Sequence, residues 1–242
     1  MTWHKTLITK LQRHSKLSDT DIEAIHTLHG KIRGFEKNED ILRQGDKPSD
    51  SAVVLEGMVA RYHTAPSGRR QYISYHHPGD MPDAQTLFLE MMDHSLCAIE
   101  KSIIVLIPHK AIIDIFKEYP GVGFAFWKET LIDAAIFREA ITNNSSRDLQ
   151  TRLAHFFCEH FYRACKADLT VTAPCKLPLT QTQLGETLAS SLPSISRTLT
   201  KLRKTKAVEF ENGYLHIKNW KKLAEIGDFN PSYLHLHEGQ RG

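Results

Sequence analysis

The sequence predicts an α+β protein: an N-terminal antiparallel β roll (a jelly roll or double-stranded β-helix), one long helix, and a C-terminal winged helix-turn-helix. Three observations carry that prediction. Between residues 32 and 108, short apolar runs alternate with turn residues, and the glycines at 45, 57, 68 and 79 are nearly evenly spaced. Short strands at regular spacing mark an antiparallel sandwich or jelly roll. From Pro120 an apolar three-four-three spacing joins Phe124, Trp127, Leu131 and Ala134, and Phe137 and Ile141 extend it. Residues 179–206 then hold two capped helical stretches, followed at once by a hairpin signal.

Taken in order, residues 3–29 read as two short helices. Trp3, Leu7 and Leu11 share a face of the first, and Ser18 with Asp21 caps the second, which runs through Ile22 and Ile25. Residues 51–55, 59–63 and 70–75 are strand-length and β-prone, and residues 103–107 form a further buried strand. Helical periodicity returns after Ile112, and Pro120 opens the long helix. Its face is too apolar for an exposed linker, so it packs on its own β domain or on the same helix of a second subunit. Asn143-Asn144-Ser145-Ser146 is expected to break it and to act as a hinge. Ser145 and Asp148 cap the next helix, whose packed side holds Leu149, Leu153, Phe156 and Phe157. A polar stretch at 166–178 leads onward. After the hairpin, Asn219 caps a short helix over 220–226, which Gly227 stops, and the tail 228–242 has no clear periodicity.

Thr180 caps a helix, and Gln183, three residues on, reaches back to close a capping box. Leu184 and Leu188 share one face. Ser191 caps a second helix with Pro193 in its first turn, where a missing N–H costs nothing. Ile195, Leu199 and Leu202 recur at helical spacing and should be buried, which turns Ser194, Arg197, Thr200 and Lys201 outward. Two short helices with a tight turn place the second where it can enter the DNA major groove. Arg197, Lys201, Arg203, Lys204 and Lys206 fall within ten residues with no acid among them. Asn212-Gly213 joins two alternating runs, the strongest short-range hairpin signal, and a hairpin in that position is a wing.

Charge agrees. The chain of 242 residues has a net charge of +3. Residues 146–242 hold 14 Lys and Arg against 9 Asp and Glu, so +5, which leaves −2 for the rest. Basic charge collected beside the helix-turn-helix suits a polyanion, because phosphate neutralisation supplies most non-specific DNA affinity. No run of about 18 apolar residues spans a membrane, and the N-terminus has no apolar signal core. A cytoplasmic protein is therefore expected. The spacing of Cys97, Cys158, Cys165 and Cys175 matches no zinc or iron–sulfur ligand pattern, and Cys158 and Cys165 fall two turns apart on one helix. No motif pairs a nucleophile with a base, and no phosphate loop is present, so an enzyme is not expected.

A β roll, a long helix and a winged helix-turn-helix together resemble the Crp/Fnr family of bacterial transcription regulators. The resemblance rests on PGD at 78–80, the long helix near 120–143, and QLGETLASSLPSISRTLTKLRK at 183–204, and it covers nearly the whole chain. The segments 107–111 (IPHKA) and 133–139 (DAAIFRE) look like those of rhizobial-type members. The resemblance implies a cyclic-nucleotide-binding-like sensor over 1–118, a dimerisation helix and hinge over 119–145, a DNA-binding domain over 146–230, and a tail over 231–242. Phe124, Trp127, Leu131, Ala134 and Ile141 would form the dimer interface. Candidate effector-pocket residues are Asp80, Asp83, Ala84, His94 and Ser95. Members that bind cyclic AMP hold the ribose with a glutamate and the phosphate with an Arg-Ser pair. Here Ala84 falls at the glutamate position, and His94 at the arginine position before Ser95, so cyclic AMP is not expected to bind in the usual manner.

No cysteine precedes Cys97, which disfavours the family's iron–sulfur cluster. Haem would need an imidazole near the pocket, and His76-His77 offers one, though a hydrogen-bonded or surface pair is the commoner role. For DNA, the base-reading positions map onto Leu192, Pro193 and Arg197. Arg197 suits guanine O6 and N7, while the apolar pair suits a thymine methyl. Thr180, Gln181, Thr182, Ser191 and Ser194 fall where the family touches phosphate, and Ser196 and Lys201 complete the candidate contacts. Members usually carry glycine where this chain has Ala189, so the turn is expected to be slightly reshaped. The implied protein is a homodimer on a palindromic operator, acting on RNA polymerase; the alternative is a small-molecule-binding module that controls a partner protein.

Overall fold

Ser18 and Asp21 close the capping box that starts the second helix. Asp21 N donates to Ser18 Oγ at 3.2 Å, and Ser18 N donates to Asp21 Oδ2 at 3.0 Å. In the computed structural model, which describes residues 3–164 and 174–236, the chain divides into two units, residues 1–134 and 135–242.

The first unit opens with α1 (His4–Gln12) and α2 (Asp19–His26). The roll follows as β1 (Lys31–Phe35), β2 (Asp40–Leu42), β3 (Asp50–Glu56), β4 (Val59–Thr64), β5 (Arg70–His76), β6 (Ser95–Ala98) and β7 (Ser102–Pro108). Two antiparallel sheets result, in the orders β1-β7-β3 and β2-β6-β4-β5. All four strands expected from the sequence are present. β1, β2 and β6 are additional, and each lacks a run of apolar alternation long enough to read.

Side chains from the two sheets meet in one core, with Phe35, Ala52, Val54, Leu96 and Ile104 buried together. Val53, Val105 and Ile107 face the other way, into a second core with Leu7, Leu11, Ile25 and Ile112. β3 is thus apolar on both faces, because helices cover the sheet's outer side. Each large side chain buried this way contributes about 1.5–3 kcal/mol.

The turn at 77–80 is fastened to α1. Gly79 has φ +96°, and a Cβ there would lie 2.6 Å from Lys10 Cβ, so only glycine permits the approach. Lys10 Nζ then bridges Asp80 Oδ1 at 2.7 Å and Glu129 Oε1 at 3.0 Å. His14 Nε2 lies 2.7 Å from Glu129 Oε2. Burial alone would raise the Glu129 carboxyl, but Lys10 and His14 outweigh it and hold the carboxyl below its ordinary value.

α3 (His109–Glu118) precedes α4 (Pro120–Ser146), which passes from the first unit into the second. The helix does not break at Asn143, contrary to the sequence reading. Ser145 Oγ and Ser146 Oγ donate to the carbonyls of Ile141 and Thr142 at 2.8 and 2.7 Å. Their hydroxyls are thereby satisfied inside the helix instead of ending it. The chain turns at Arg147-Asp148, and Asp148 alone caps the next helix, accepting from Gln150 N and Thr151 N at 2.8 and 3.0 Å. Ser145 takes no part in that cap.

In the second unit α5 (Leu149–Ala164) is followed by β8 (Cys175–Lys176), α6 (Gln181–Thr187), α7 (Leu192–Lys204), β9 (Val208–Glu211), β10 (Tyr214–Ile217) and α8 (Trp220–Gly227). Leu153 and Phe157 of α5 are fully buried, whereas Leu149 is only half-buried. β8 adds a third strand to the wing, in the order β8-β10-β9; two residues are too short to announce a strand. Asn219 caps α8, with Lys222 N donating to Oδ1 at 3.0 Å. A short 3-10 turn at Pro231–Leu234 gives order to the part of the tail that is described. Cys165 and part of the 166–178 stretch lie outside the described residues.

Candidate nucleic-acid interface

Thr180 N donates to Gln183 Oε1 at 2.9 Å, and Gln183 N donates to Thr180 Oγ1 at 3.1 Å, which completes the second capping box. That box sets the start of α6 and leaves Thr180, Gln181 and Thr182 exposed on its first turn. Leu184 and Leu188 anchor the opposite side in the core.

The turn between the helices is tight. Ser190 N donates to Gly185 O at 2.8 Å. A Cβ on Gly185 would sit 2.7 Å from Ser190 O, so a backbone atom forbids any side chain there. Gly185 was missed from the sequence, because an isolated glycine inside a helical pattern is tolerated and does not by itself announce a close approach. Ala189 adopts φ +48°. The turn therefore keeps the left-handed backbone and is not reshaped, at a cost of about 1–2 kcal/mol for a residue with a Cβ.

α7 starts at Ser191, whose Oγ accepts from Ser194 N at 3.4 Å. Ile195, Thr198 and Leu202 are buried. Leu199, expected in the core, is half-buried, and Thr198 takes the inner position, with its hydroxyl donating to Ser194 O at 2.8 Å. Leu192, Pro193, Ser196, Arg197, Thr200 and Lys201 are on the accessible side, and Ser194 is half-buried. Arg197 Nη2 donates to Ser194 Oγ at 3.1 Å, and that hydroxyl lies 2.9 Å from Ser191 Oγ. Three candidate contacts are thus joined in one chain of hydrogen bonds. Arg203, Lys204 and Lys206 are exposed on and beyond the last turn of α7. Cations there also suit the negative end of the helix dipole. Asn212 and Gly213 have φ +52° and +75°, the left-handed pair that a two-residue hairpin needs.

Two helices joined by a tight turn, with a basic outward face and a wing, form a surface that can track a duplex. Residues 32–119 match the cyclic nucleotide-binding domain, and residues 151–226 match the Crp-like helix-turn-helix domain. The chain belongs to the Crp/Fnr family of transcription regulators. This Crp/Fnr protein is 20% identical over 220 residues to the anaerobic regulatory protein of Aggregatibacter actinomycetemcomitans, covering 91% of this chain and 85% of that one. It is 19% identical over 210 residues to the fumarate and nitrate reduction regulatory protein of Vibrio cholerae, covering 87% and 84%. Among solved structures, FixK2 from Bradyrhizobium japonicum superposes with a TM-score of 0.73 at 21% identity, over 82% of this chain and 98% of that one. A CRP-family transcriptional regulator from Thermus thermophilus gives 0.63 at 15% identity, over 81% and 97%. The relatives are regulators, and this chain is a DNA-binding regulator of the same type. Among the described residues, no helix is long and apolar enough to cross a membrane.

The residues singled out for an effector in this regulator are bound up in its fold. Asp80 pairs with Lys10 and accepts from His77 N at 2.9 Å. Asp83 is fully buried and accepts from Ala52 N at 2.9 and 3.0 Å. Ser95 Oγ accepts from Gln44 N at 3.0 Å. Ala84 is buried. His94 Nδ1 lies 2.6 Å from Asp93 Oδ1, and burial, helped by Arg61, pushes its pKa below the ordinary value. Arg61, missed from the sequence, is buried; Nη1 donates to Asp133 Oδ2 at 2.6 Å and Nε to Pro82 O at 2.7 Å. No local pattern announces a pair 72 positions apart.

His76 is buried with Nε2 2.9 Å from Ser74 Oγ, the hydrogen-bonded role. Cys97, Cys158 and Cys175 are buried, and burial raises the Cys97 thiol to about 12. On α4, Phe124, Trp127, Leu131 and Ile141 are exposed, while Ala134 is half-buried.

Proposed function

We propose that this regulator works as a homodimer that reads a two-fold symmetric operator through α7. The observation that carries the reading is the division of α7: Ile195, Thr198 and Leu202 are buried, while Leu192, Pro193, Ser196, Arg197 and Lys201 lie on the accessible side. Arg197 grips a guanine edge, and Leu192 and Pro193 lie against a thymine methyl. Thr180, Gln181, Thr182, Ser191, Ser194, Ser196 and Lys201 fix the register through phosphates. Phe124, Trp127, Leu131, Ala134 and Ile141 meet their counterparts in a second copy. Four large apolar side chains exposed on one helix are otherwise hard to account for. We divide the chain into a sensor over 1–118, a dimerisation helix over 119–145, a DNA-binding domain over 146–230 and a tail. A promoter-bound dimer would act on RNA polymerase in the cytoplasm.

The residues of the roll do not fit cyclic AMP held in the usual manner. Ala84 offers no carboxylate for the ribose. His94, with a depressed pKa, is neutral near pH 7 and supplies neither the permanent charge nor the planar fork of arginine. Calorimetric titration with cyclic AMP should give no binding isotherm; saturable binding in the micromolar range would overturn this part.

Selection from random duplexes with the full chain tests the operator reading. Enrichment of an inverted repeat, bound with an affinity that falls steeply with salt, is the expected result. A pool that stays random after repeated rounds would refute it.

A further inference from the structure

We propose that a pocket on the first unit binds a small, uncharged aromatic molecule. The pocket has a volume of about 460 Å³ and lies between segment 84–89, α3 and α4. Ligand sites commonly span about 300–1,000 Å³. Buried Ala84 and Phe126 form its floor, and the Phe116 ring stands edge-on to Phe126 at 5.0 Å. Phe88 and Trp127 stand at the rim, 74% and 61% exposed. Four aromatic rings around one space favour a flat guest with edge and offset contacts.

Charge decides the class of guest. None of the lining residues is Asp, Glu, Lys, Arg or His. An ion entering would lose its hydration and gain no partner. The polar lining is Gln85 and Thr130. Gln85 Nε2 is directed at Met92 Sδ, 3.9 Å away, and the Thr130 hydroxyl donates to Trp127 O at 2.7 Å. Gln85 and Thr130 thus add polar but uncharged groups to an otherwise apolar lining.

The pocket borders the apolar stripe of α4. Gly123, Phe126 and Thr130 line the pocket, whereas Phe124, Trp127 and Leu131 form the outer stripe of the same helix. A step of one residue turns the helix by about 100°, so the pocket lies beside the stripe, with Trp127 shared. A guest that orders Trp127 changes the surface offered to the partner. That consequence rests on the dimeric-regulator reading; the binding does not.

The test uses the full chain and the uncharged fluorophore N-phenyl-1-naphthylamine, a secondary aromatic amine. Saturable binding at one molecule per protomer is expected. Gly123→Leu should weaken it at least tenfold, because its Cβ meets Phe116 at an ordinary 3.4 Å and its side chain enters the pocket. Leucine also suits a helix better than glycine. Thr130→Leu, on the accessible side of α4, should do the same if Gly123→Leu folds poorly. The sulfonated analogue 8-anilinonaphthalene-1-sulfonate should bind at least tenfold more weakly than the uncharged probe. Absent saturation, unchanged affinity in both folded variants, or equal affinity for the sulfonate would each overturn the proposal. Operator binding measured on the same samples separates the two claims: a protein that binds the probe but no DNA keeps the pocket and loses the regulator reading.

Discussion

Arg197 is held ready by Ser194, 3.1 Å from its guanidinium, and Lys201 follows one turn later on the exposed side of α7. Their expected roles differ. Arg197→Ala should cost about 1–3 kcal/mol of operator affinity and relax preference at one position per half-site. Lys201→Ala should weaken all duplexes alike and lower the salt slope by about one. Binding isotherms on operator and scrambled DNA at several salt concentrations separate these outcomes. Asp83 makes a prediction about pH. Burial raises its carboxyl to about 7, against the Ala52 amide and Arg61. An unfolded chain releases that proton near pH 4, so the folded form binds it more tightly. Asp83 therefore adds most stability below about pH 4 and loses it as pH rises to about 7, by on the order of 4 kcal/mol at most. Urea unfolding at about pH 5 and about pH 8 should show a larger fall for the wild type than for Asp83→Asn. Equal falls would show that Asp83 does not titrate this way.

Elements with a local signature were legible. Ser18 and Asp21, Thr180 and Gln183, Ser191 with Pro193, and Asn212-Gly213 each name their own structure, because the bonds they make span two or three residues. Elements decided by distant partners were not. β1 is exposed along most of its length and exists because β7 pairs with it. The end of α4 misled because Asn143 and the two serines find partners the sequence does not display; Asn143 Nδ2 donates to Arg152 O at 3.2 Å. The ion network of Lys10, Asp80, Glu129 and His14, and the Arg61–Asp133 pair, were invisible for the same reason. The α6–α7 turn offers a direct check. Ala189→Gly should stabilise the second unit by about 0.5–1 kcal/mol, since relief of the left-handed cost outweighs the added chain entropy. Gly185→Ala should destabilise it by about 1–3 kcal/mol, because its Cβ would meet a carbonyl that cannot move away. Thermal melts of both variants read the signs, and a destabilised Ala189→Gly would mean the turn is not strained.

In the proposed dimer, two surfaces must act together: the apolar stripe on α4, assigned to subunit pairing, and the exposed face of α7, assigned to DNA. Leu131→Glu places a charge in the stripe at a position already 55% exposed, so the protomer should still fold. It should sediment as a monomer and lose most operator affinity, since one half-site binds too weakly alone. A dimer that survives the change is held by another surface. Hydroxyl-radical footprinting of the full chain on its selected duplex tests the central claim most directly. Two protected patches related by a two-fold axis, centred about one helical turn or 10 base pairs apart, or a multiple of it, are expected. A single patch, or uniform cleavage at saturating protein, would contradict a paired reader built on α7.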